Sequence, residues 1–83
     1  MKNIKDFTPT DLSGEKLPLS DDLRTVIGNG IYFASGDINV CKEAAKLYSG
    51  EDFNPSPEMV DAVNRSQGLA AWVKLQLTEW LNA

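Results

Sequence analysis

Histidine is absent from this 83-residue chain, and cysteine occurs once. Those two shortages remove whole classes of chemistry. Four-ligand zinc sites draw on several cysteines and histidines, so no such site can be assembled. One thiol forms no internal disulfide, and it fits a reducing cytosol better than secretion. A cytoplasmic location is therefore expected. No apolar run approaches the roughly 20 residues that span a bilayer. The first residues, Met1 to Phe7, carry two lysines with no apolar stretch behind them, and do not read as a signal peptide. Basic runs are missing too. With a net charge of −4, nucleic acid is unlikely as a main partner, and so is an anionic membrane.

What is present suits a small globular domain. The hydrophobic fraction is 42%, ordinary for a folded chain. The length allows one domain, residues 1–83, with a small core. Ordering costs on the order of 1.5 kcal/mol per residue, and apolar burial only roughly offsets it at this size. Such a chain gains from a partner or a second copy.

The expected class is mainly α: a short N-terminal β-hairpin within residues 1–19, then three to four helices over 20–83. Ser13-Gly14 is a turn dipeptide between Thr10-Asp11-Leu12 and Glu15-Lys16-Leu17. Pro9 and Pro18 confine both flanking strands to edges. Residues 20–35 carry two competing signals. Asn29-Gly30 between β-branched and aromatic residues reads as a hairpin. Leu23, Val26, Ile27, Gly30, Ile31 and Ala34 instead form a helical stripe, with Ser20 or Asp21 as cap. The helix is the expectation, with the two glycines permitting close approach of neighbours.

Residues 37–49 read clearly as a helix between an Asp37 cap and Gly50 in the left-handed C′ position. Its apolar half-wheel holds Ile38, Val40, Cys41, Ala44, Ala45, Leu47 and Tyr48. Ser56-Pro57 opens a third helix, with Met59, Val60 and Val63 inward. A break at Gln67-Gly68 precedes a last helix over 69–82, centred on Leu69, Val73, Leu77 and Trp80.

Each candidate constellation has a plainer use. Gly28-Asn29-Gly30 lacks the third glycine of a dinucleotide loop, since that position is Phe33. Cys41 has no imidazole to activate it and falls mid-face, which predicts a buried thiol. Asp37, Glu51, Asp52, Glu58 and Asp61 show no calcium-loop spacing; Asp37 is better used as a cap and the others as solvated charge. A glycosidase pair has nothing around it to shape a cleft. No catalytic residue, metal or cofactor is expected. Residues 37–49 and 56–67 could form a helix-turn-helix, but Glu58 and Asp61 on the reading helix oppose phosphate.

The apolar residues left outside the core are more informative. Tyr32 lies opposite the buried stripe of its helix, Leu75 falls among Lys74, Thr78 and Glu79, and Trp72 sits at the margin of the last helix's apolar arc. These three are the candidate interface, toward another protein or a second copy.

Leu12-Ser13-Gly14, Gly28-Asn29-Gly30-Ile31-Tyr32, Asp37-Ile38, Ala44-Ala45-Lys46-Leu47-Tyr48 and Glu58 together resemble a group of short, uncharacterised phage and prophage proteins built as a small hairpin followed by helices. The likeness spans residues 10–62. It implies a mobile-element accessory protein, serving virion assembly or inhibition of a host factor, and it carries over no functional residues. The reading from sequence is thus a non-enzymatic protein-binding or assembly module. Its rivals are a small helix-turn-helix-like DNA-binding regulator and a small-ligand binder using the Gly28–Gly30 notch.

Overall fold

A computed structural model describes all 83 residues. Four helices follow a one-turn 3-10 helix at Ile4–Asp6: α1 (Asp21–Ala34), α2 (Ile38–Ser49), α3 (Pro57–Arg65) and α4 (Ala71–Asn82). Local chemistry sets most of the helix starts. The hydroxyl of Ser20 accepts from the Leu23 amide, the carboxylate of Asp37 from Asn39, and the hydroxyl of Ser56 from Met59. Each cap satisfies an amide that has no partner inside its helix, worth about 1 kcal/mol. Gly50 closes α2 at φ 71°, and its amide donates to the Lys46 carbonyl. A Cβ at Gly50 would collide with the Lys5 side chain and crowd the Arg24 guanidinium. Both cations lie at the negative end of the α2 dipole.

Residues 21–34 are one unbroken helix, so the Asn29-Gly30 turn signal is overridden. Tertiary packing explains why. A Cβ at Gly28 would lie 2.9 Å from the ring of Tyr48 on α2. A Cβ at Gly30 would lie 3.2 Å from Leu69 and Ser66, which flank the α3–α4 connection. Two positions along a helix is about 200° of rotation, so these notches face different neighbours. α1 is the central helix, receiving α2 on one side and the α3 end on another.

The expected N-terminal hairpin does not form a pair of strands. Thr10 and Lys16 meet in one isolated antiparallel bridge. The amide of Asp11 donates to Glu15, and that of Leu17 to Pro9. The two prolines cannot donate, so a longer ladder has nothing to continue it. The Asp11 carboxylate instead holds the turn together, accepting from the Ser13 amide, the Ser13 hydroxyl and the Glu15 amide. The Ser13 hydroxyl is the main reason its pKa falls below the ordinary value.

The N-terminal segment earns its place by covering α4. Lys2 bridges Phe53 through two backbone bonds, and its ammonium sits 5.1 Å from the centre of the Trp80 ring. Phe7 lies 5.4 Å from Trp80 between ring centres. Further along, Gln76 grips the backbone of Thr10: its carbonyl oxygen accepts the Thr10 amide at 2.7 Å, and its amide donates to the Thr10 carbonyl at 2.9 Å. The chain thus runs antiparallel to α4, with Ile4, Phe7 and Pro9 fully or nearly fully buried. Phe53, from the connector between α2 and α3, is buried completely in the same core.

Glu43 secures that connector. Its carboxylate accepts the Asn54 amide at 2.8 Å and pairs with Lys46 at 3.1 Å. The Asn54 bond is the main force holding its pKa below the ordinary glutamate value, and Lys46 assists. A carboxyl depressed by folding stabilises the fold above its unfolded pKa, and that contribution is lost as pH falls through the lower folded value. Urea midpoints should therefore drop as pH falls below the ordinary glutamate range, and the drop should be smaller for Glu43→Gln. Asp11 titrates in the same sense in both proteins, so the difference between them isolates Glu43. Identical pH profiles would contradict this role.

One sequence expectation is corrected here. Cys41 is half-buried rather than enclosed, with its sulfur 3.7 Å from the Tyr32 carbonyl oxygen. Only Val40, Ala44 and Leu47 of α2 are buried, while Ile38 and Tyr48 are 66% and 38% exposed. The reason is coverage. The N-terminal segment that could have capped a wider face lies on α4, so α2 is covered chiefly from the α1 side.

Candidate functional site

Because α2 is covered on one side and α1 ends beside it, apolar side chains are left in solvent where the two helices join. Phe33 is 80% exposed, Ile38 66% and Tyr32 42%, while Val26, two turns earlier on α1, is 42% exposed. Single exposed apolar residues are ordinary, but a concentration of large ones marks an interaction surface. The rings of Tyr32 and Phe33 meet edge to face at 5.3 Å. Tyr48 stands over Gly28 close by, and its hydroxyl donates to the Asn29 side chain at 2.5 Å. Burial raises the Tyr48 pKa, and the neighbouring Tyr32 phenol adds to the rise. Gly28, Asn29 and Tyr48 tie α1 to α2 about one turn before Tyr32 and Phe33.

On the flank of α1 away from α2 lies a solvent-open groove of about 680 Å³. Val26, Gly30, Phe33 and Ala34 line it from α1. These residues recur at helical spacing, so one face of α1 lines the groove along its length. Arg65 at the end of α3, with Gln67 and Gly68 beyond it, makes the opposite side. No acidic residue lines the groove. Phe33 therefore belongs both to this groove and to the corner.

The three residues expected at an interface fall in two places. Tyr32 is part of the α1–α2 corner. Trp72 and Leu75 are on α4, where Trp72 is half-buried against the 11–13 turn and Leu75 is 62% exposed. Leu12, at the tip of that turn, is 91% exposed beside Trp72. Tyr32 points to the α2 side of α1, one turn beyond Gly28, whereas α4 packs on α3. Sequence reasoning passed over Phe33 and placed Val26 and Ile38 on buried faces. A signal for Phe33 was available: at about 100° per residue it lies farther from the Ile27–Ile31 axis than Tyr32 does.

Other chemistry finds little support in the geometry. No group of three or more acidic, cysteine or histidine residues is placed to hold a metal ion. No helix is long and apolar enough to cross a membrane. α2 and α3 each pack on α1 rather than chiefly on each other, unlike the two helices of a helix-turn-helix. The exposed side of α3 presents Glu58, Asp61, Asn64 and Arg65.

No protein-family model, curated protein or solved structure matches the chain.

Proposed function

We propose that this protein is a non-enzymatic binding module that docks a partner protein, or a second copy of itself, through the α1–α2 corner. The observation that carries the reading is the joint exposure of Tyr32, Phe33 and Ile38 around the α1–α2 connection. Aromatic side chains offer a large contact area with few rotatable bonds, which is why they act as anchors in interfaces. A small domain with a limited core also has reason to bury more surface against a partner. The likeness to short phage and prophage proteins suggests the setting: a mobile-element accessory protein acting in virion assembly or on a host factor. A cytoplasmic location accords with the single free thiol.

The small-ligand reading keeps one observation in its favour. The volume of the α1 groove falls within the roughly 300–1,000 Å³ typical of ligand pockets. Its openness and the continuity of Phe33 with the corner favour a macromolecular occupant.

Phe33→Glu tests the docking reading. The position is mostly solvent-exposed, so circular dichroism and urea midpoint should change little. Loss of such an anchor should weaken association by about 2 kcal/mol or more, roughly thirtyfold. Partners retained from native host extract by the unmodified protein, and self-association by sedimentation equilibrium, should both be compared with the variant. Leu75→Glu on α4 serves as the matched surface control. If Phe33→Glu leaves both measurements unchanged, or Leu75→Glu alone abolishes binding, the corner is not the docking surface.

A further inference from the structure

Building on the protein-binding reading above, we propose that the groove beside Gly30 receives a segment of the partner that presents an apolar side chain next to a carboxylate, with Arg65 as the counter-charge. Three observations converge on this. Val26, Phe33 and Ala34 give the groove apolar lining, and its volume of about 680 Å³ leaves room for apolar side chains rather than for a flat contact. The groove runs into the exposed corner through Phe33, so an occupant that fills it also covers the ring that solvent now wets.

Charge supplies the third. The chain carries a net charge of −4, and two of its cations are already committed: Arg24 to Asp21, and Lys46 to Glu43. Arg65 has no carboxylate partner in the protein and is the only charged residue lining the groove. Its place in the last turn of α3 suits the helix dipole. That accounts for the sign of the charge, yet it leaves the guanidinium's fork of donors free. A planar fork beside apolar surface matches a carboxylate, with two parallel N–H···O bonds. Gln67 adds a neutral polar side chain at the rim. An acidic group elsewhere on a partner would be repelled by the protein's overall field, so the groove is where an anionic segment is accepted.

The carboxylate could be a chain end or an aspartate side chain, and three short probes separate these sources. N-acetyl-leucyl-phenylalanine carries a terminal carboxylate, N-acetyl-aspartyl-phenylalanine amide a side-chain carboxylate, and N-acetyl-leucyl-phenylalanine amide neither. Each is titrated into the uniformly ¹⁵N-labelled full chain and followed by amide chemical shifts. Changes should centre on Asn29, Gly30, Phe33, Gln67 and Gly68. At least one acidic probe should bind about fivefold tighter than the neutral amide, the gap expected of one solvent-accessible ion pair. Whichever acidic probe binds better identifies the source of the carboxylate. Arg65→Gln should bring the acidic probes to the affinity of the neutral one, and Arg65→Lys should restore part of the gap. Equal affinity of acidic and neutral probes for the unmodified protein overturns the proposal, as do shifts centred elsewhere or no binding by any probe. The two readings fail separately. If Arg65→Gln leaves partner capture intact while Phe33→Glu abolishes it, docking at the corner stands and the carboxylate inference falls.

Discussion

Truncating Phe53 to alanine is expected to cost about 3–5 kcal/mol, the usual range for removing a fully buried phenylalanine. A domain of this size has roughly 4–12 kcal/mol in all, so the variant should be marginally folded or unfolded at room temperature. The effect is large because Phe53 joins three parts of the chain. Its backbone exchanges both hydrogen bonds with Lys2, its ring centre lies 6.1 Å from that of Trp80, and its side chain has no exposed surface. Removing the ring leaves a cavity between the N-terminal segment, the α2–α3 connector and α4, none of which can collapse into it without giving up the Lys2–Phe53 bridge. Urea denaturation followed by tryptophan fluorescence reads the change directly, because Trp80 is the adjacent ring. A loss below about 1 kcal/mol, the scale of a typical surface change, would show that the N-terminal segment is not part of the cooperative core.

Gly30→Val should be destabilising by about 1–3 kcal/mol through overpacking. The first carbon of the new side chain would already stand 3.2 Å from both Leu69 and Ser66 and 3.4 Å from the Leu69 Cδ1, and valine then adds two methyl groups beyond it. Ser66 is buried and its hydroxyl is engaged with the Val63 carbonyl, so it has little room to retreat. Gly30→Ala is a useful companion. Its single methyl must press its neighbours back by a few tenths of an ångström, while the helix gains about 1 kcal/mol in propensity over glycine. The two effects should nearly cancel. Asn29→Ala loses only the exposed bond from Tyr48 and gains propensity, so it should stay within about 1 kcal/mol of the parent. Thermal melts of the three variants should rank valine lowest. If valine is tolerated, the α3–α4 connection does not rest on α1 at this notch.

Both predictions depend on contacts far apart in sequence, and that is where legibility ended. Helix boundaries were readable to within a residue or two, because their causes are local: Ser20, Asp37 and Ser56 as caps, Pro57 at the first helical position, Gly50 with φ above zero. The last helix starts at Ala71 rather than at residue 69, since Leu69 is drawn down onto Gly30 before the helix begins. The hairpin expectation rested on one turn dipeptide, and a turn does form there. Two strands do not, because extending a ladder needs amides that Pro9 and Pro18 lack.

The candidate site was legible only in part. Tyr32, Trp72 and Leu75 could be picked out by asking which apolar residues fall off a buried stripe. That question finds residues one helix at a time. It cannot say that Trp72 is partly covered by the 11–13 turn, or that Phe33 and Ile38 stand on one corner with Tyr32. An amphipathic pattern gives the direction a face points, while its exposed width depends on how much of that face a neighbour covers. For α2 the covered width is narrower than the apolar arc, and so Cys41 and Ile38 reach solvent.

Sequence alone determined the elements whose energy is local: a mainly helical chain, the caps at which its first three helices start, which side of each is apolar, and the want of histidine and paired cysteine that narrows its chemistry. Those follow from dihedral preference, capping and periodicity, which act over a few residues. Only the tertiary structure decided that residues 21–34 are a helix despite Asn29-Gly30, because the two glycines matter through Tyr48 on one side and Leu69 on another. It likewise decided that the N-terminal segment lies along α4, pinned by Gln76 and Trp80, and so left the α1–α2 corner uncovered. A segment of 20 residues can cover one flank of a small domain but not two, and which flank it takes is settled by side chains more than 60 positions away.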